Sequence, residues 1–244
     1  MLLTYIRSAL FMVWFILWSV ILMGGFVWFL IMPRKFTVNL SKTWSRVLLF
    51  GLKWICGLTY EVRGPIPHGG VLVASKHMSM WDTLVLYMLL DDASTVLKRE
   101  LQRIPFYGWY IWKAGVISIN REGKASAMRQ MMAEARAILD AKRDIIIFPE
   151  GHRMRPFEAP DYKPGVAGLY TQLGVACIPV ALNSGQFWVD FVKKPGRILI
   201  EFLPAIPPGL KRAEFMTALQ DRIESATQNL LAEGRQILVS EGIS

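Results

Sequence analysis

Cysteine and histidine are scarce: 244 residues contain two of the first and three of the second. Cys56 and Cys177 lie far apart in apolar surroundings, with neither a CxxC pair nor the even, closely spaced set of a disulfide framework, so they read as small core residues. With only His68, His77 and His152 beside them, no standard Cys/His zinc spacing can be assembled. The chain also lacks zinc-finger spacing, an RNP-type aromatic motif and a long basic helix, which removes the usual routes to nucleic acid. It has no internal repeat, low-complexity tract or Gly/Ser linker. Acidic residues are under-represented, 19 against 28 Lys and Arg, for a net charge of +9 and a pI near 9.7. That balance suits an anionic lipid surface or an acidic carrier protein.

What the chain has in excess is apolar residues, 53% of the total, concentrated toward its beginning. From Ser8 to Met32 no charge interrupts 25 residues. At about 1.5 Å per residue, that run is long enough as a helix to cross a hydrocarbon core of about 30 Å. Gly24 and Gly25 are positioned to break it. The stretch from Phe36 to Leu58 then mixes bulky apolar residues with Lys42, Arg46 and Lys53, the pattern of an interfacial helix. Two arrangements fit: one crossing, or a pair of helices sunk in a single leaflet. Only Arg7 precedes the run, whereas Arg34, Lys35, Lys42, Arg46 and Lys53 follow it, so the positive-inside bias places everything after residue 33 in the cytoplasm. A cleaved signal peptide is disfavoured by the length of the run and by the Pro-Arg-Lys that closes it. The expected organisation is a membrane-anchoring helical segment over 1–57 and a cytoplasmic domain over 58–244.

That second part reads as α/β. Residues 70–75, 94–97, 115–120, 144–149, 175–182 and 197–203 are short, β-rich runs, mostly apolar throughout and therefore buried on both faces. Helical patterns separate them at 81–90, 126–141 and 165–174, and an amphipathic helix covers about 211–234. The expected architecture is a central, mostly parallel or mixed sheet flanked by helices, with sites at strand ends.

Several polar residues fall at such ends. His77 and Asp82, in "KHMSMWD", follow the first strand. Five residues of continuous helix turn through about 500°, which leaves two side chains about 140° apart. The two meet only if His77 lies on the turn before the helix. A carboxylate on one ring nitrogen fixes the tautomer and frees the other to take a proton. The same two residues also read, without other information, as a polar turn and a helix cap. A second strand ends in "FPEGHR" (148–153), offering Glu150, Gly151 and Arg153. A third ends in "INREGK" (119–124), placing Arg121 at a helix opening, where free N–H groups favour an anion. Lys98 closes a fourth.

Taken together, "HMSMWD", "INREGK", "FPEGHR" and "CIPVALNSG" resemble, in order and spacing, the four sequence blocks of the glycerolipid acyltransferases. The likeness to the bacterial 1-acylglycerol-3-phosphate acyltransferases is marked around "YKPGVAGLY" and "VALNSGQFW", and the apolar beginning resembles their two-helix membrane motif. The resemblance implies transfer of a fatty acyl group from acyl-CoA or acyl-carrier protein to the sn-2 hydroxyl of lysophosphatidic acid, giving phosphatidic acid at the cytoplasmic face of a bacterial inner membrane. It implies no metal and no cofactor beyond the donor thioester. His77 becomes the general base and Asp82 its orienter, Glu150 and Gly151 help place the acceptor, and Arg121 and Arg153 hold its phosphate; Lys98 is added to these from its position. His152 departs from the family's usual threonine, and "RMRPFEAPDYKPG" departs from its familiar members.

Three other readings compete. The same fold can serve another acceptor: glycerol 3-phosphate, another lysophospholipid or a lyso-aminolipid. His77, Asp82, Glu150 and His152 can be read as the ligands of a metal-dependent hydrolase. A non-catalytic lipid-binding module would use the arginines alone.

Overall fold

In the computed structural model, which describes residues 1–119 and 124–240, the uncharged run becomes helix α1 (Leu2–Gly25) and ends at the two glycines. A short 3-10 turn (Val27–Ile31) reverses the chain. Pro33, its φ preset by the ring, precedes α2 (Arg34–Gly51), which closes through a widened turn (Leu52–Cys56) and the left-handed Gly57, φ 69°. There follow β1 (Leu58–Arg63), β2 (Leu72–Ser75), α3 (Met80–Leu89), β3 (Ala93–Lys98), α4 (Tyr107–Lys113), β4 (Ile117–Ile119), α5 (Lys124–Asp140), β5 (Asp144–Ile147) and α6 (Gly165–Leu173). The chain continues through β6 (Cys177–Leu182), a small hairpin of β7 (Trp188–Val189) and β8 (Val192–Lys193), β9 (Gly196–Phe202) and α7 (Arg212–Ser240).

Seven of these strands form one sheet in the order β1-β9-β6-β2-β5-β3-β4. Neighbours run parallel except β6 and β9, so the sheet is mixed. The central strands β2 and β5 are buried at every position, as continuous apolar runs require when helices cover both faces. Alternate residues divide between two cores. Val73, Ile146, Val180, Ile198 and Ile200 face α3 and the helices α1 and α2, joining Phe11, Leu48, Leu52 and Trp81. On the other face, Leu72, Ala74, Ile145 and Ile147 pack with Met131, Ala135, Leu169 and Phe215 of α5, α6 and α7.

Every strand and helix expected after residue 70 is found, with shifts at the ends. Three strands, β1, β7 and β8, and one helix, α4, were not expected. β1, "LTYEVR", alternates apolar and polar residues on an edge position and merges, as a pattern, with the helix before it. The β7–β8 hairpin is only four residues of strand. α4 carries Pro105 just before it and Gly108 within it, two residues that read as helix breakers.

Helix α1 is attached along its length. Ser8 Oγ accepts the Lys193 N–H (2.9 Å), Trp14 Nε1 donates to the Val47 carbonyl (3.0 Å), Trp44 Nε1 donates to Ser19 Oγ (2.9 Å), and the Tyr110 hydroxyl donates to the Met23 carbonyl (2.8 Å). Gly51 permits the closest approach: a Cβ there would lie 2.4 Å from the Trp14 ring.

Candidate active site

The sheet order brings the carboxyl ends of β2 and β5 side by side, Ala74 pairing with Ile147, and the sequence places the predicted site residues just beyond both. After β2 the backbone leaves the sheet for a short turn, Lys76 to Met78, before Ser79 caps α3. Ser79 Oγ accepts the Trp81 N–H (3.2 Å), and Asp82, three residues on, returns the contact by accepting the Ser79 N–H (2.8 Å). This is the reciprocal S-x-x-D capping box, and it explains why a helix begins here. His77 therefore lies before the helix, where the rotation argument requires it. Its Nδ1 is 3.0 Å from Asp82 Oδ2.

The carboxylate of Asp82 is wholly buried and surrounded by donors. Oδ2 accepts the N–H groups of Met78 (2.7 Å) and Ser79; Oδ1 lies 2.5 Å from Ser184 Oγ and 3.1 Å from Ser79 Oγ. Backbone N–H groups can only donate, so Asp82 is the acceptor and His77 Nδ1 the donor, an arrangement that in the neutral imidazole puts the lone pair on Nε2. The imidazole also stacks on Phe148, centroids 3.9 Å apart and planes at 20°, which holds the ring orientation while leaving 12% of the side chain exposed.

Beyond β5 the chain turns at Phe148–Met154 and is tied to the first turn. Gly151 takes φ 70°, a conformation that costs glycine little, and the Met154 N–H donates to the His77 carbonyl (2.8 Å). Glu150 points inward. It is fully buried, paired with Lys76 Nζ at 2.6 Å, and its second oxygen is 3.4 Å from the His77 N–H. Lys76 also reaches Glu224 of α7 (2.8 Å), to which the Tyr162 hydroxyl donates (3.0 Å). Burial pushes the Glu150 carboxyl above the usual range against the opposing pull of Lys76, while burial and the two carboxylates push the Tyr162 phenol up and keep it a donor. His152 is exposed, its Nδ1 2.9 Å from the Glu150 carbonyl oxygen. Glu150 and His152 thus have their own partners and do not converge with His77 and Asp82; among the described residues no group of three or more His, Cys, Asp or Glu is arranged to hold a metal ion.

Arg153 is exposed and lies close enough to Tyr107 that its charge pulls down a phenol that burial pushes up. Tyr107 lines an apolar cleft of about 680 Å³, open solvent at its mouth included, whose walls include Leu40, Leu84, Leu97, Tyr110 and Ile111. The cleft reaches α3 directly after Asp82, since Thr83 and Leu84 both line it. Arg121 lies outside the described residues. Lys98 ends β3, and its side chain likewise lies outside what is described.

Sequence reasoning singled out neither Lys76 nor Ser184, Phe148 or Glu224. Ser184 lies in the block "CIPVALNSG", read only as a resemblance, and Gly185 beside it explains the close fit: a Cβ there would meet Met78 at 3.0 Å and Pro156 at 3.1 Å. Asn183 braces the same segment, donating to the Leu230 carbonyl (3.0 Å) and accepting the Leu199 N–H (2.8 Å).

A sequence model of the Acyltransferase family matches residues 58–183, the span that contains β1 to β6 and both turns of the site. The 1-acyl-sn-glycerol-3-phosphate acyltransferase of Pseudomonas aeruginosa is 31% identical over 196 residues, covering 79% of this chain and 76% of that protein. The mouse 1-acyl-sn-glycerol-3-phosphate acyltransferase alpha is 30% identical over 199 residues, 77% of this chain and 69% of the relative. The crystal structure of the 1-acyl-sn-glycerophosphate (LPA) acyltransferase PlsC from Thermotoga maritima superimposes with a TM-score of 0.74 at 18% identity, over 92% of this chain and 96% of the other, and so shares the fold. The mixed α/β fold is shared with that structure, the N-terminal apolar helix is consistent with membrane association, and, on the match to the family model and to these relatives, the chain belongs to the acyltransferase family.

Proposed function

We propose that the chain is a membrane-bound 1-acyl-sn-glycerol-3-phosphate acyltransferase that forms phosphatidic acid. The observation that carries the reading is the contact from His77 Nδ1, on the turn before α3, to Asp82 in the first turn of that helix, next to Thr83 and Leu84, which line the apolar cleft. A glycerol hydroxyl is a poor nucleophile near neutral pH. His77 Nε2 takes its proton as the oxygen attacks the thioester carbonyl; the tetrahedral intermediate collapses, the C–S bond breaks, and the proton passes from the imidazole to the leaving thiolate. Atoms and charge balance without a metal, a cofactor or an acyl-enzyme. Asp82 holds the imidazole in the required tautomer and stabilises its protonated form.

Arg153, Arg121 and Lys98 are proposed to hold the acceptor's phosphate, which converts acceptor binding into orientation of the sn-2 hydroxyl. Glu150 and Gly151 are proposed to act through the turn they shape, Glu150 by its bond to the His77 N–H and Gly151 by its left-handed backbone. The apolar lining of the cleft suits an acyl chain. The donor is acyl-CoA or an acyl-carrier protein, whose acidic surface the net charge of +9 would attract. Contacts along α1 from Ser8 to Met23 favour helices α1 and α2 lying in one leaflet over a crossing, because a crossing would carry the attached domain into hydrocarbon. The domain over 58–244 then lies on the cytoplasmic face of a bacterial inner membrane, anchored by residues 1–57.

The test is thioester-dependent acylation of lysophosphatidic acid by purified protein in detergent, with acyl-CoA and acyl-carrier-protein donors. Loss of a general base lowers the rate by about 10²–10⁴, so H77A is expected to be nearly inactive while remaining folded. Near-normal turnover by H77A removes this mechanism. Glycerol 3-phosphate and other lysophospholipids in parallel assays separate the acceptor from its alternatives.

A further inference from the structure

The segment Arg99–Lys113 contains a feature that neither the fold nor the chemistry above uses. Ile104, Phe106, Trp109 and Trp112 are 46%, 45%, 49% and 71% exposed, although the alternating residues Gly108, Tyr110, Ile111 and Ala114 are buried. Trp109 and Trp112 are three apart and so share one face of α4, and Phe106, on the turn just before the helix, packs its ring against Trp109 (centroids 5.1 Å). Phe106 is held outward by strain. It has φ 61° and ψ −63°, and the Tyr107 N–H bonds back to the Pro105 carbonyl (2.7 Å), a positive-φ γ-turn that bulky residues rarely adopt. The turn is locked from behind, because Gly108 packs so closely that a Cβ would lie 2.0 Å from the Gln102 carbonyl oxygen.

Two observations say what covers this face. First, it continues an apolar surface already assigned to lipid. α4 packs on α2 and on the turn after α1, Tyr110 bonds to Met23, and the neighbouring Val27, Trp28 and Ile31 are themselves exposed. Second, its flanks carry Arg99, Arg103 and Lys113 against a single acid, Glu100, the sign that suits anionic headgroups. Tryptophan with a basic fringe is the composition of a bilayer interface.

We propose that α4 and its γ-turn form a second membrane-seating element, with Ile104, Phe106, Trp109 and Trp112 entering the same leaflet as α1. Its inner face, Tyr107, Tyr110 and Ile111, lines the apolar cleft, so this seating places the cleft wall against the acyl region of the bilayer. A lipid substrate then reaches the cleft laterally without its chain crossing water. The inference rests on the membrane-bound reading given above.

The two native cysteines are buried, so an environment-sensitive nitrobenzoxadiazole label can be directed to single introduced cysteines in the full chain. Four variants suffice: W109C and W112C on α4, I16C on the exposed face of α1, and Q130C on α5. Each is reconstituted into vesicles of phosphatidylethanolamine and phosphatidylglycerol and challenged with aqueous iodide and with lipids carrying a nitroxide on the acyl chain. The expected result is blue-shifted emission and nitroxide quenching at 109, 112 and 16, with iodide quenching confined to 130. Iodide quenching at 109 and 112 with lipid quenching at 16 overturns the proposal and leaves the membrane reading standing. Aqueous behaviour at all four positions overturns both. Shelter of 109 and 112 from both quenchers assigns the face to protein, a second copy or a carrier, and also overturns the proposal.

Discussion

Replacing Lys76 by methionine removes one ammonium group from behind His77, and the consequences can be worked out from its surroundings. The side chains of Lys76 and Glu150 are 2% and 0% exposed, and Glu224, the second partner, is 17% exposed. Methionine keeps the length and apolar stem, so the loss is nearly all electrostatic. Glu150 keeps only the 3.4 Å bond from the His77 N–H, whereas Glu224 retains the Tyr162 hydroxyl and partial access to water. Removing one member of a buried pair costs about 3–5 kcal/mol because the other charge is left uncompensated. The sign of the pH dependence follows from the direction of the Glu150 shift. Its carboxyl is already pushed above the usual range by burial with Lys76 opposing, and K76M pushes it further. A carboxyl whose folded pKa exceeds its unfolded value favours the folded state below the unfolded pKa and loses that contribution as pH rises through the folded one. K76M should therefore lie nearest the native protein in acid and fall progressively behind it above the ordinary Glu value of about 4.3. Urea unfolding of the full chain in detergent micelles, followed by tryptophan fluorescence at several pH values, reads this directly. The double variant K76M/E150Q should recover much of the loss. A K76M deficit below about 1 kcal/mol, or one independent of pH, would refute the argument that the pair is electrostatically isolated.

Three further outcomes are expected. S184A removes a hydroxyl donor from the buried Asp82 carboxylate; it should lower unfolding free energy by about 1.5–3 kcal/mol, the range for a bond to a charged group, and reduce kcat with little change in KM for the thioester. L84W fills the cleft beside Asp82 and should shift the enzyme toward shorter acyl donors, read from competition between chain lengths. G108A forces a Cβ against the Gln102 backbone and should destabilise the 99–113 segment by about 1–3 kcal/mol, visible as faster limited proteolysis there.

Much of the site was legible because it is local. The helical rotation between positions 77 and 82 required the histidine to lie off the helix if the two side chains were to meet, and the structure places it there. The polar cap and the His-Asp pair, taken as rivals on the sequence, coexist: one buried carboxylate closes the helix with Ser79 and orients His77. The alternation of buried apolar runs with helical ones was enough for the α/β class and for strand positions. It failed where punctuation residues lie inside an element, as in α4, and where a strand has too few residues to display a period, as in β7 and β8.

Lys76 shows the limit most clearly. Beside His77 it reads as a solvated charge on a loop; in the fold it is a buried cation between Glu150 and Glu224, residues 74 and 148 positions away. Periodicity, capping and turn chemistry act over a few residues through torsion angles and local hydrogen bonds, and these the amino-acid order alone determines. Which strand end lies beside which, and what a buried charge faces, depends on β5 inserting next to β2 and on α7 packing back across the sheet. Those choices are set by how whole apolar faces match one another, and only the assembled structure decides them.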